Sequence, residues 1–421
     1  MQLEKNNQFI NSVKSYVKDF DDASYRILAS KDFKNWPKPS EETWRLSKLK
    51  NLSKKYIEPI HPDLRKNKSL EPKINSSIFI NFIDGAYRED LSSKLPSGIN
   101  LSYLNEEEGL EFLSKIKNTD LANHPSTSSS ISCCPSIIKI SLDADFNFDE
   151  TVEINYSGGN DFKSVHPVLF IKLNKNSKLS LVERFQHLGP LIMPLQLIEI
   201  NESASLKSIK IFEDSHISYN LCANLVTLNN KSIYNSFSLI KGSEFTRSET
   251  HAHLKGEEAV LNLNGVYLSG SNQHHDLTTA IYHDVPNCTS KQIVRGVLGG
   301  KSTGVFQGKV RVAPGAQKTD GQQMSRAILL SDKASANAKP ELEIYADDVI
   351  CAHGATVGEL DDDQLFYLKS RGISLEKARE ILINAFLEDI IVQSVEKNLH
   401  GFIFDEAKQG LVSIIKSNVL K

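Results

Sequence analysis

From about Ile137 to Val357 the chain runs through many short stretches rich in Val, Ile, Leu and Phe, and little of it repeats at the three- and four-residue steps of a helix. Val168 to Leu173, Leu206 to Phe212 and Ala259 to Leu263 are examples, punctuated by Asn, Gly, Ser and Asp. Such runs read as strands bounded by turns. They recur at about twenty to thirty residues without a clean repeat motif. A β-solenoid accounts for this better than a single sandwich, because stacked coils bury one shared core and lengthen in one direction. Two packed sandwiches are the competing arrangement. The expected fold class is mainly β, with the β-helix core over residues 137–357.

Helical signals flank this region. Phe9, Ile10, Val13, Val17 and Phe20 mark one buried helix face. After Trp36-Pro37-Lys38-Pro39, Ser40 is placed as an N-cap, with Glu41 and Glu42 in the first turn of a second helix carrying Trp44 and Leu46. The polar, serine-rich segment from Asp120 to Pro135 reads as a linker or long loop, so residues 1–136 form an N-terminal helical or mixed domain. Beyond Gly358, Asp361 caps a helix through Leu365, Phe366 and Leu368, and Gly372 stands just past its end. Ser374 caps another, whose stripe is Ala378, Ile381, Leu382, Ala385, Phe386 and Ile390, and a last helix covers about Phe404 to Ser417. Residues 358–421 are thus a C-terminal helical module, and its stripe is either core or a docking surface.

Composition narrows the function. The chain has 421 residues, is 40% hydrophobic and 24% charged, and carries a net charge of −3, which gives no basic field for nucleic acid. No stretch approaches the roughly 18 consecutive apolar residues of a membrane span, and the start MQLEKNNQF lacks a signal region, so the expected location is cytoplasmic, without membrane association. The five cysteines, Cys133, Cys134, Cys222, Cys288 and Cys351, are odd in number and form no CxxC pair, which argues against a disulfide framework and a closed zinc site. Cys133 and Cys134 read as free thiols in a loop.

Three motifs compete for the chemistry. Gly296-Val297-Leu298-Gly299-Gly300-Lys301-Ser302 resembles a phosphate-binding loop, but its first glycine is one residue too close and the sequence behind it reads as strand, where a helix N-terminus is needed. His251 and His253, with Glu258 and Gly265, match the first metal motif of cupins, the two histidines sharing one strand face; the companion motif is missing. His274, His275 and His283 stay unassigned. In Asp347 to Gly358, Cys351 and His353 share a strand face and pair a thiol with an imidazole, both suited to iron or an iron-sulfur cluster. A buried thiol beside a hydrogen-bonded histidine is the plainer reading of the same pair.

The run Ala316-Gln317-Lys318-Thr319-Asp320, Pro340-Glu341-Leu342-Glu343-Ile344, Asp347-Asp348-Val349, His353-Gly354-Ala355-Thr356-Val357-Gly358, Leu365-Phe366-Tyr367-Leu368 and Ser370-Arg371-Gly372-Ile373 resembles the SufB/SufD family of iron-sulfur cluster assembly scaffolds. Leu254-Lys255-Gly256 and Asn264-Gly265-Val266-Tyr267 continue the resemblance, and the Cys-x-His-Gly-Ala-Thr form is similar to the SufD branch. The resemblance is strong over about Glu249 to Asp389 and loose elsewhere, the N-terminal third matching poorly. It implies a right-handed parallel β-helix between helical regions. It also implies pairing with a SufB-type scaffold subunit through the β-helices and binding of a SufC-type ATPase by the C-terminal helices. The isolated chain would lack an ATPase site of its own and any resident cofactor, and could homodimerise. Cys351 and His353 would then contribute to a transient iron-sulfur cluster or iron at the partner interface. A cupin-type metal-dependent enzyme using His251, His253 and Glu258, and a purely structural adaptor, are the alternatives.

Overall fold

The computed structural model describes residues 8–20, 23–38, 40–47, 49, 52, 55, 57–62, 71–74, 78–158, 162–186, 189–213 and 217–419. Of the sequence expectations, the segment Met1 to Asn7, Pro39 and the side chain of Phe20 lie outside the described residues.

Successive strands alternate between two sheets, one of 12 strands and one of 10, and nearly all neighbours within a sheet run parallel. The result is a β-solenoid of about seven turns with helices at both ends of the chain. Tyr219–Leu228, Phe245–Leu254, His274–His283, Thr303–Val312 and Ser335–Ile344 stack in register on one side. Ile233–Ile240, Val260–Ser269, Thr289–Leu298, Asp320–Leu329 and Ile350–Gly358 stack on the other.

Strand alternation sorts each run into two environments. In Val260–Ser269, Leu261, Leu263 and Tyr267 face the interior core, whereas Val266 and Leu268 face outward beneath the C-terminal helices. The corners need left-handed backbone, and Asn176, Ser203, Lys231, Glu258, Asn287 and Lys318 all adopt positive φ there. Corner amides reach the next coil, as in Asn176 N–H to Glu202 O at 3.0 Å and Ser203 N–H to Asn230 O at 2.9 Å. These corners are the polar punctuation seen in the sequence.

The glycines that mimic a phosphate loop have packing roles. Gly296 lies within Thr289–Leu298, where a Cβ would fall 2.2 Å from the Tyr267 ring. Gly300, at φ +62, turns the chain directly into the strand Thr303–Val312, so no helix follows the loop.

Residues before 137 enter the sheets. Ile78–Ile83 pairs parallel with Asn147–Ser157, and Ile99–Tyr103 pairs antiparallel with Ile137–Leu142. The segment read as a linker is ordered and buried: Asp120–Asn123 is a 3-10 turn, and Pro125–Cys133 is an α-helix with every residue buried. Serine disfavours helices because its hydroxyl competes for backbone groups. Here the hydroxyls of Ser129 and Ser132 bond back to the carbonyls of Pro125 and Ser128, each at 2.6 Å, while Ser126 and Ser130 bond to Leu221 O and Met193 O on the solenoid. Small side chains with satisfied hydroxyls let this helix lie flush on the sheet. Cys133 and Cys134 are therefore buried at a helix end and not in an open loop. The second N-terminal helix is reduced to one 3-10 turn, Glu42–Trp44, without an Ser40 cap; Trp44 is drawn into the structure by the Arg247 guanidinium, 4.1 Å from its ring centroid.

At the C-terminus, Asp361 caps Asp362–Ser370 and Ser374 caps Leu375–Ser394 through the N–H groups of Gln364 and Lys377, and Gly372 has φ +85. The last helix is His400–Val419. The buried face of Leu375–Ser394 is Ala378, Ile383, Leu387, Ile390 and Ile391, so the expected stripe is rotated: Ile381 and Ala385 are exposed. Ile383, Leu387, Ile390, Ile403, Ala407 and Leu411 pack on Ile209, Ile211, Phe237, Leu239, Val266 and Val297 of the solenoid. The two longer helices thus cover one outer sheet face.

Candidate functional site

Among the described residues the stack ends at Ser335–Ile344 in one sheet and Ile350–Gly358 in the other, each paired on one side only. Pro340 interrupts the hydrogen-bonding edge of the first, as suits an edge strand. No residue of the following helix Asp362–Ser370 is buried, so it does not cover this end. Ile350 is 68% exposed, Tyr345 57% and Val357 45%, an apolar concentration at two unpaired strand edges. Such edges pair readily with another chain.

Cys351 and His353 lie on the last strand, opposite Gly321 and Gln323 of its neighbour. The Cys351 side chain is half-buried against the interior core. Its Sγ is 3.5 Å from where a Gly321 Cβ would sit, and Ser290 Oγ is 3.7 Å from the same point. Glycine at 321 thus keeps the inside of the strand open beside the thiol. His353 is exposed, since no further strand continues its column.

Burial pushes the Cys351 thiol above its ordinary pKa and Asp320 adds to the rise, against an opposing backbone hydrogen bond from Gly321. The side chain is a thiol at neutral pH and must lose its proton to ligate a metal. The other cysteines, Cys133, Cys134, Cys222 and Cys288, are buried, and burial drives the Cys222 thiol up to about 12. A thiol reagent applied to the native chain is expected to label Cys351 first, faster as pH rises toward and past 9, with the other four reacting only on unfolding. Mass mapping of the alkylated peptides checks this; early labelling of Cys133 or Cys222 would contradict the packing.

The cupin-like residues are not assembled into a ligand set. His251 is buried and its Nε2 lies 2.9 Å from Glu249, which is clamped at 2.7 Å by Arg247. His253 stacks on Tyr282 with ring centroids 4.3 Å apart and approaches Asp284 at 3.3 Å. Glu258 occupies a corner at φ +58, exposed and 3.8 Å from Lys231. The shared strand face of the two histidines is as expected, but the carboxylate points elsewhere. Among the described residues no three His, Cys, Asp or Glu side chains form a metal-holding group. His274, His275 and His283 are held by Ser47, Ser269 and Ser290 at 3.0, 2.7 and 2.8 Å.

Sequence reasoning missed the polar groups inside the solenoid. Lys210 and Glu183 form a buried pair at 3.1 Å, joined by Gln196 and Tyr156, and further along the interior lie Gln292 and Gln323. The available signal was a polar residue at alternation positions that should hold core side chains.

The fold is thus a parallel β-solenoid that ends, among the described residues, in two bare strand edges, with a thiol and an imidazole on the last strand. The chain belongs to the SUF system FeS cluster assembly family, whose SufBD core domain matches residues 155–386. It is 36% identical over 193 residues to the iron-sulfur cluster assembly protein SufD of Escherichia coli, a match covering 46% of this chain and 46% of that protein, so it spans about half the length of that relative. It is 27% identical over 406 residues to the chloroplastic protein ABCI7 of Arabidopsis thaliana, covering 90% of this chain and 83% of the relative. SufD of Bacillus subtilis is 33% identical over 167 residues, 39% of this chain and 38% of that protein. No helix among the described residues is long and apolar enough to cross a membrane.

Proposed function

We propose that the chain is the SufD-type subunit of a SufB–SufC–SufD scaffold and that it supports iron capture and cluster formation at its interface with the SufB-type subunit. The observation that carries this reading is the position of Cys351 and His353 on the terminal strand, at an uncovered solenoid end rimmed by Ile350, Val357 and Tyr345. A second solenoid seated on that end would continue both sheets and bury the apolar rim. Two side chains supply fewer than the four ligands an iron-sulfur cluster usually takes. The sister subunit must complete the set, and the iron and sulfide are cargo. ATP hydrolysis would come from the separate SufC-type subunit. The working place of such a complex is the cytoplasm.

The helix Asp362–Ser370 is the proposed ATPase contact. It buries none of its residues, and Phe366 and Tyr367 are 73% and 58% exposed on it. Deleting everything after Gly358 is a poor test, because it strips Ile383, Leu387 and Ile403 from the outer sheet and leaves a large apolar face in water. The double substitution Phe366→Ala and Tyr367→Ala removes no buried contact. It is expected to weaken ATPase binding by tenfold or more, with aromatic anchors at an interface costing about 2 kcal/mol or more when truncated. Co-purification with tagged ATPase and SufB-type subunits measures it: loss of the ATPase with retention of the sister scaffold is the expected result, and an unchanged complex would remove this helix from the interface. The cupin-type enzyme lacks its carboxylate in the structure, since Glu258 is turned into a corner. The structural-adaptor reading makes Cys351 and His353 dispensable, which the same complex can test.

A further inference from the structure

Behind His353 runs one column of interior side chains. In-register pairing aligns Leu263 with Gln292, Gln292 with Gln323 and Gln323 with His353 across four successive coils. Neighbouring strands are about 4.8 Å apart, so side chains in such a column touch. Gln292 is fixed from the opposite sheet: its Oε1 accepts the hydroxyl of Thr279, and its Nε2 has no partner among the described residues. Gln323 is only 3% exposed, and among the described residues neither its Oε1 nor its Nε2 has a partner. A buried primary amide with both ends unpaired is costly and calls for a group that is not yet engaged. The amide itself is seated by a glycine, since a Cβ at Gly308 would come within 3.0 Å of Gln323 Nε2. His353 is the next member of the column and stands exposed at its end.

We propose that Gln323 is a positioning residue for His353. In the engaged site Gln292 donates Nε2–H to Gln323 Oε1 and the same oxygen takes one imidazole N–H of His353, contacts that the structure brings into one column but does not yet close. The amide thereby sets the tautomer and the ring plane, leaving the second ring nitrogen with its lone pair toward the open end of the solenoid. A ligating histidine needs such a partner for its other N–H. This inference rests on the reading of His353 as an iron ligand, and it explains a feature that reading does not: why two glutamines occupy core positions in the last coils.

The test is nitrogen NMR of the imidazoles in the full-length isolated chain, without iron, comparing wild type with Gln323→Leu and Gln323→Glu. Gln323→Leu keeps the volume and removes the acceptor; Gln323→Glu places a carboxylate there. The wild type is expected to show one dominant neutral His353 tautomer. The leucine variant should mix tautomers, whereas the glutamate variant, which keeps an acceptor at the same place, should hold the wild-type tautomer. A merely structural role for Gln323 would not produce mixing in the leucine variant and its absence in the glutamate variant. In the assembled scaffold, Gln323→Leu should also lower iron affinity by tenfold or more. An unchanged tautomer in both folded variants overturns the inference, even if His353→Ala stops cluster formation. A shifted tautomer upholds it, even if His353→Ala leaves cluster formation intact and the iron-ligand reading falls.

Discussion

Replacing His353 with alanine is expected to leave a scaffold complex of normal subunit ratio and normal ATP hydrolysis that fails to build clusters. The expectation follows from where the residue sits. It is exposed at the end of its column, on a strand paired on one side only, so its removal opens no cavity. Exposed substitutions of this kind usually change stability by no more than about 0.5 kcal/mol. Loss of an iron ligand is a much larger effect, of order tenfold or more in metal affinity even for a near-shell group. Cys351→Ser should be milder. Its thiol is held protonated by burial and by Asp320, so at neutral pH it contributes less until iron or the partner draws off the proton. Size-exclusion profiles, phosphate release and visible absorption of the reconstituted complex separate the three properties. Clusters formed at the wild-type rate by the His353→Ala complex would make the site structural and favour the adaptor reading.

Acid is expected to destabilise the isolated chain steeply before its carboxylates titrate. Burial holds the His124 and His283 imidazoles down at about 4 and that of His166 at about 3. In the unfolded chain each would titrate near its ordinary value of about 6.5. Between these values the unfolded state binds more protons than the folded one, so stability rises with pH there. The contribution is complete above about pH 6.5 and is lost as pH falls through the folded values. Each histidine contributes about 1.4 kcal/mol per pH unit within the window, or about 4 kcal/mol per unit for the three together, against a total stability of order 5–15 kcal/mol. Glu249 is held well below the ordinary carboxylate value by Arg247 and its histidine neighbours despite its burial, so its own contribution persists until pH drops below the ordinary range. Urea midpoints measured at about pH 7 and about pH 5 should differ strongly, and His283→Gln should reduce the slope by about one proton. A midpoint independent of pH across that range would mean that these histidines are charged in the folded chain.

Much of the solenoid was legible because two local rules agree along it. In the structure Leu261, Leu263 and Tyr267 lie inside and Val266 outside, as strand alternation requires of such a run, and the polar residues between runs occupy corners with positive φ. The helix Pro125–Cys133 was illegible for a definite reason: serine-rich composition resembles a loop unless one knows that Ser126 and Ser130 meet solenoid carbonyls nearly a hundred and about sixty residues away. The stripe on Leu375–Ser394 was misplaced because apolar residues occur on several faces of that helix, and only the sheet beneath decides which face is core. At the site, Cys351 and His353 could be put on one strand from spacing alone. Gln323 could not, since register between strands thirty residues apart is set by the corners and is invisible in the local sequence. Glu258 shows the converse error, a residue at a ligand's spacing that the backbone turns into a corner.

The most direct test of the central claim is anaerobic cluster reconstitution by purified SufB-type and SufC-type subunits with and without this chain, supplied with ferrous iron, a sulfide source and ATP, and followed by absorption and by iron and sulfide content. An accessory scaffold subunit should raise both the rate and the yield of clusters on the complex. The chain alone should remain colourless under the same conditions, because Cys351 and His353 provide half a ligand set. Equal rates and yields with and without the chain, from a complex shown to contain it, would contradict the account.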